Sequence, residues 1–388
     1  MTFDLASFFQ SKGIKVVAYD RYDSLEITPY ITSYTHENIA NGGNWTCQIV
    51  MSVPIVDVDG WYQNGLNRLI EVYDQASILR WDGRVNKVTV ALAGLTFSRG
   101  ELMNIGNRAS TVFTPIDYSV SPAVTGSTTV TAITEDLISQ DTYGVLEKVI
   151  NAGTCPLVDA QRAQAVYLRE ASYPDNSGDL NISPESGSTA IVTLDCVGVC
   201  YYALKSFIYT NTTAGAITLS DKVKDIIDQE LWTNMALMGN ENGIVTNAYA
   251  VAQQEMKNRY AFDVMTAIAN LGDASDNRWI FGAYGEMLYY NPIPTTILYE
   301  YSTVDERQRI FELPSRVEIF PWEVKAGFWL QNTDFLAGSS PKANVYEEPR
   351  NIFIESVQYT APWTLSITGE RQKKNSQLLM KLTNSGGA

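Results

Sequence analysis

The chain has 388 residues, 45% hydrophobic and 18% charged, which predicts two or three domains and excludes wholesale disorder. A formal charge of −15 excludes a protein that grips nucleic acid by neutralising phosphates, though not one that DNA merely passes. The opening MTFDLASFFQSKG lacks the basic n-region and long apolar core of a secretory signal, and no stretch reaches the ~18 apolar residues of a membrane-spanning helix, so a soluble chain is expected.

Residues 14–34 are rich in β-branched and aromatic side chains and predict strands. Asn41-Gly42-Gly43-Asn44 is a turn signal, because glycine and asparagine tolerate positive φ. A period-two alternation follows, with Trp45, Cys47, Ile49, Met51 and Val53 on one face and Thr46, Gln48, Val50 and Ser52 on the other. That pattern is a half-buried antiparallel strand. Residues 60–73 predict a short amphipathic helix capped by Asp59, with Leu66, Leu69, Ile70 and Tyr73 inward. Two strands are expected within 77–94, joined by a hairpin turn at Asp82-Gly83, and another at 107–117. The Ser-, Thr- and Pro-rich tract 119–132 reads as a linker.

A helix is expected over 139–152, with Val145, Leu146, Val149 and Ile150 on one side and Gly153 as its stop. Another covers about 157–172 and ends before Pro174, and the polar stretch 173–188 reads as a second linker or exposed loop. Strands resume at 189. Ser220 is then expected to cap a helix carrying Val223, Ile226, Ile227 and Leu231. A longer helix is predicted over 250–271, with Ala261, Val264, Met265, Ile268 and Leu271 inward and Gly272 closing it. The remainder is aromatic and strand-like as far as 353–371, followed by a basic polar tail. Helices between two blocks of strands make the class α+β.

Residues that carry chemistry are scarce. His36 is the sole imidazole, just ahead of the Asn/Gly turn, and is expected to be a solvated hairpin residue rather than a base for Cys47. Cys47, Cys155, Cys196 and Cys200 are too few and irregular for a disulfide framework and read as buried free thiols. In one strand Cys196 and Cys200 would share a face about 13 Å apart, too far to bridge. The sequons at Asn44 and Asn211 have no meaning without a secretory route. DVDG at 57–60 starts like a calcium loop but lacks the later acidic ligands, so helix capping is the better reading. Asp273 and Asp276 lie just past a helix end, where an ion is the second reading. A carboxylate pair for glycoside hydrolysis stays open among 43 acidic residues, with no pair singled out. No catalytic, cofactor-binding or metal residue is assigned, and no cofactor is expected. The 8 Trp, 22 Tyr and 13 Phe suit sheet packing and subunit contacts, with a sugar-binding platform as the alternative.

Several phrases together resemble the hub proteins at the tip or baseplate of bacteriophage tails. They are NWTCQIVMSVP, WYQNGLNRLIEVYD, ILRWDGRVNKVTVAL and RGELMNIGNRASTVFTPID, then AITLSDKVKDII, ANLGDASDNRWIFGAY, FPWEVKAGFWLQNTDFLAG and FIESVQYTAPWTLSITGE. The resemblance implies a homotrimer around the tail axis, each subunit giving two related β-barrel-like domains to a pseudo-sixfold ring that conducts DNA. It implies a first barrel from 14–118 with 187–215, a helical insertion at 119–186, a connecting helix at 216–234 and a second β-rich domain at 235–388. Hubs with a lysozyme or peptidase carry it in an appended module, for which this chain has no span, so a non-enzymatic member is implied. The implied partners are copies of itself, the tail tube or distal tail protein, the tape-measure protein and tail fibre or receptor-binding proteins, with DNA as passing cargo. The implied location is the virion tail tip, after assembly in the host bacterial cytoplasm. A distal tail adaptor ring is the alternative within this class, and a glycan-binding or cell-wall-cleaving tail protein is the alternative outside it.

Overall fold

Runs of alternating apolar residues make strands through most of the chain, and the larger part of them join one ladder. The computed structural model describes residues 4–20, 23–92, 94–180, 190–208, 217–227, 243–251, 259–275, 277–284, 287–304, 307–334 and 351–370.

Helix α1 (Leu5–Ser11) is capped by the Asp4 carboxylate, which accepts from the Ser7 amide at 3.2 Å. β1 (Lys15–Tyr19) and β2 (Ser24–Glu26) follow, then the hairpin of β3 (Ile31–Ile39) and β4 (Gly42–Val53). Cys47, Ile49, Met51 and Val53 are buried as the alternation predicts, and Trp45 is half-buried against Phe262. Gly43 is at positive φ (74°) and lets the backbone of Ala283 approach where any Cβ would collide.

The expected helix over 60–73 is displaced: α2 runs Ile55–Asn64 behind Pro54, and β5 (Leu69–Tyr73) replaces its second half. Asp59 is not the cap. It sits inside the helix, and its carboxylate accepts from Gln63 one turn on at 3.0 Å. Asn67 at φ 66° breaks the helical path, and Ile70 and Val72 then alternate inward between neighbouring strands. β6 (Leu79–Leu92) is one continuous strand, so Asp82-Gly83 is no hairpin turn. Both residues are held in register against Glu71 and Ile70, and Asp82 is buried and accepts from the Asn44 amide. β7 (Leu95–Gly100) pairs the second half of β6.

β8 (Arg108–Asp117) falls as predicted, but the tract after it is no free linker. β9 (Val124–Thr125), β10 (Thr129–Val130) and β11 (Thr134–Glu135) each pair with β8. The helix expected over 139–152 is α3 (Leu137–Tyr143), stopped by Gly144 at φ 77°, and β12 (Glu147–Cys155) then runs parallel to β8. Gly153 makes a bulge in that strand instead of ending a helix. α4 (Leu157–Ala171) matches its prediction, and its buried Gln164 amide donates to the carbonyls of Ala109 (2.6 Å) and Ala132 (2.8 Å). β13 (Asn176–Leu180) pairs β7, so the start of the expected exposed loop is a strand, and 181–189 lie outside the described residues.

β14 (Ala190–Val197) lies between β4 and β6 with Cys196 opposite Cys47. After Gly198 the chain turns into the short 3-10 helix Val199–Leu204, so Cys200 does not share the strand of Cys196. β15 (Phe207–Ile208), β16 (Ile217–Thr218), β17 (Ala250–Val251) and β18 (Arg259–Tyr260) are short. α5 (Leu219–Ile226) is capped by Thr218 rather than Ser220, whose hydroxyl donates to the Asn247 carbonyl. Val223, Ile226 and Ile227 are buried as expected, and Leu231 lies outside the described residues. The helix predicted over 250–271 holds only in its second half, as α6 (Ala261–Leu271), with its five predicted inward residues buried and Gly272 closing it; 250–251 and 259–260 are the short strands β17 and β18, each paired to another strand, and 252–258 are not described.

The last strands are β19 (Trp279–Tyr284), β20 (Met287–Pro292), β21 (Ile297–Val304), β22 (Arg307–Glu312), β23 (Val317–Ile319), β24 (Trp329–Asn332), β25 (Asn351–Thr360) and β26 (Thr364–Glu370). β25 pairs β26 along its length, β24 through 351–353 and β3 through 356–360. The late strands therefore continue the ladder begun near residue 15. Trp322 and Tyr359 are buried in the same core as Phe9, Tyr34, Cys47 and Trp81. The α+β class holds, with strands predominant.

Candidate functional site

His36 is not a solvated hairpin residue: it is 1% exposed. It lies within β3, where Tyr34, His36 and Asn38 take the inward positions of the alternation. The strand before the turn runs on to Ile39 and the hairpin reverses at Ala40-Asn41, so residue 36 is well inside the strand and not at the turn. The Tyr34 hydroxyl and His36 Nδ1 are hydrogen-bonded at 2.9 Å, and the rings of Tyr34 and Tyr359 lie 5.5 and 5.4 Å from the imidazole. His36 Nε2 is buried without a hydrogen-bond partner among the described residues. Burial pulls the imidazole down to about 3, so it is neutral near pH 7. Burial likewise pushes the Cys47 thiol up, and Cys200 up to about 12. Neutral, enclosed groups of this kind pack; they are not arranged as a nucleophile and its base.

Beside the histidine, Arg80 of β6 ties the two ends of the chain together. Its Nε donates to Asp74 at 2.7 Å and its Nη2 to Glu323 at 2.7 Å. Glu323 also accepts from the Phe320 amide at 2.7 Å, and Asp74 from the amides of Ala76 and Ile78. Burial pushes the Asp74 carboxyl up, but those amides and the guanidinium outweigh it and hold it below the usual carboxylate range. Sequence reasoning missed this cluster. Arg80 and Glu323 are 243 positions apart, and neither stands in a motif.

Asp273 answers to a structural role. Its carboxylate accepts from the amides of Ser275 (2.8 Å) and Asn277 (3.0 Å) and from the Trp279 indole (3.2 Å), which closes the turn after α6. Asp276 lies outside the described residues. Asp57 and Asp59 are both on α2, two residues apart and so on opposite sides of the helix rather than around a loop. Among the described residues no group of three or more His, Cys, Asp or Glu is placed to hold a metal, and no helix is long and apolar enough to cross a membrane. Lys222 of α5 is buried, and burial lowers its ammonium with Asp225 opposing.

The surface carries a second kind of feature. Exposed large apolar side chains gather on the unit built around β8, β12 and α4. Register places Tyr118, Val124, Leu157 and Val158 at one end, since Asp117 pairs Val124 and Cys155 lies beside Pro115. Leu137 and Ile138 form a second group at the start of α3, 69% and 74% exposed. The sequence alone does not mark these pairs, because adjacent apolar residues are also buried together on helices, as at Ile226-Ile227 and Val264-Met265.

No protein-family model matches the sequence, and no curated protein matches it. Among solved structures the chain is similar to the 43 kDa tail protein of prophage MuSo2 from Shewanella oneidensis, at 6% identity and a TM-score of 0.43, covering 94% of this chain and 98% of that one. It is similar to the tail protein from Neisseria meningitidis MC58, at 7% identity and a TM-score of 0.41, covering 90% and 92%. It is also similar to a prophage tail protein from Listeria monocytogenes EGD-e, at 8% identity and a TM-score of 0.37, covering 97% and 100%. Tail proteins are the class that the sequence phrases resemble, and no residue's role is carried over from these structures.

Proposed function

We propose that the chain is a structural hub at the tip or baseplate of a bacteriophage tail. One observation carries the reading. The phrases that resemble hub proteins run through most of the described fold, and those on β4, β5, β6, β19, β24, β25 and β26 fall on the one shared ladder, while those on β8 and α5 lie outside it. Most of the residues carrying the resemblance thus help to build that ladder.

In this reading three copies surround the tail axis, and the barrel-like domains are 14–118 with 187–215 and 235–388, with 119–186 inserted and 216–234 connecting. The tail tube or distal tail protein, the tape-measure protein and the fibre or receptor-binding proteins are its partners. A charge of −15 suits a channel wall that repels a passing polyanion rather than retaining it. The exposed apolar groups on the inserted unit suit burial in an assembly, since patches of this kind mark contact surfaces. Native mass spectrometry of the purified chain, alone and with its tail-tube protein, tests this. Three copies that add to tube rings are expected; a monomer that ignores them overturns it.

A further inference from the structure

The β3–β25 pairing joins the early strands to the late ones, and the single histidine of the chain lies in it, directly opposite Tyr359. His36 borders a small cavity, about 10 Å³, that is also lined by Tyr73, Arg80 and Trp322. The facing charge from β6 is the Arg80 guanidinium. From β5 it is the Tyr73 hydroxyl, which donates to Glu71 at 2.5 Å. From β3 and β25 come the hydroxyls of Tyr34 and Tyr359, and from β4 the Cys47 thiol opposite His36. α1 and the Pro321–Glu323 turn contribute Phe9 and Trp322, which are uncharged. Among the described residues no carboxylate lines the cavity: Asp74 and Glu323 are bound to Arg80, and Glu71 to Tyr73. An imidazolium formed here would be desolvated in an apolar enclosure with no carboxylate in contact with it, since both nearby carboxylates are held by Arg80.

We propose that the β3–β25 seam is a proton-gated junction: His36 accepts a proton only when β25 and Trp322 have lifted from β3, so acid opens the contact between the early and late strands. The seam is then a two-state element biased by one titration. With His36 near 3 when enclosed and near 6.5 when exposed, opening gains about tenfold per pH unit below 6.5, or about 100-fold at pH 4.5.

Hydrogen exchange of the β3 and β25 amides, corrected for intrinsic rates and compared between pH 7.5 and 4.5, tests it. The expected result is a loss of protection of about 100-fold at the seam, with α6 and β14 changed less, and no such loss in His36→Gln. Tyr34→Phe keeps the titrating group and is expected to keep the pH response. NMR of the lone histidine adds a readout on the unmodified chain: its ring is expected not to titrate between pH 7.5 and 4.5 in the closed form. An equal acid response in His36→Gln, a flat pH profile at the seam of the wild type, or a ring that titrates near 6.5 while the seam stays protected would each overturn the proposal. Should His36→Gln not fold, the wild-type profile and Tyr34→Phe decide.

Discussion

Arg80 shows how one side chain can hold distant segments together. Its partners Asp74 and Glu323 keep 6% and 22% side-chain exposure against 13% for the guanidinium, so the cluster is largely shielded from water. Removing one member of such a group leaves the others desolvated, at a cost of about 3 kcal/mol. Arg80→Met is therefore expected to lower the midpoint of urea unfolding clearly, while Arg169→Met, whose ion pair with Glu170 is open to solvent, leaves it unchanged. Acid acts on this region in two ranges. Asp74 has a lowered folded pKa, so its contribution is complete above the unfolded value of 3.8 and is lost as pH falls through the lower folded value. His36 also has a lowered folded value, but for a base that means no effect above 6.5 and a growing penalty below it. Urea midpoints measured from pH 7.5 to 4.5 should fall in the wild type and fall less in His36→Gln.

At the level of elements, Gln164 is a buried polar tie within the unit built around β8, β12 and α4. It donates to Ala109, Ala132 and Thr134 and accepts from Thr131 at 2.7 Å, so α4 is fastened to β8 and to the segment bearing β10 and β11. Gln164→Leu preserves the approximate volume and strands those groups, at ~2–4 kcal/mol. Faster hydrogen exchange in β8, β10 and β11 than in β4 or β14 is the expected consequence. The same unit shows where local sequence is a poor guide. VLEKVINAG has apolar positions at both helical and strand spacing, and the decision went to the strand because β8 offered an edge to pair with. LIEVY was settled likewise by β1 and β6 on either side, and Asp82-Gly83 by neighbours that held it in register. Where one face alone decides, as in α4 and β4, the sequence reading and the structure agree, and in α6 they agree from Ala261 onward. The histidine was misread because the glycines and asparagines mark the turn at 41–44 but not how far the strand before it extends, and β3 keeps its alternation to Ile39.

For the molecule as a whole, the class of fold was legible in composition and spacing, but the joining of its ends was not. Pairings such as Tyr359 with His36 and Arg80 with Glu323 bring together positions hundreds of residues apart, and no local pattern encodes them. The exposed apolar pairs at 137–138 and 157–158 were not legible as surface, because adjacent apolar residues also stand on buried helix faces, as at Val264-Met265. If Leu137, Ile138, Leu157 and Val158 are buried by neighbouring subunits, Ile138→Lys with Val158→Lys should leave the fold intact by circular dichroism but prevent assembly, measured as the loss of larger species on size exclusion. The most direct test of the hub reading is a reconstruction of the phage particle that carries this chain, with its copies located and counted. The reading predicts three copies in a ring on the axis at the tail tip, with the seam strands next to the tube; six copies, or a position away from the axis, would contradict it.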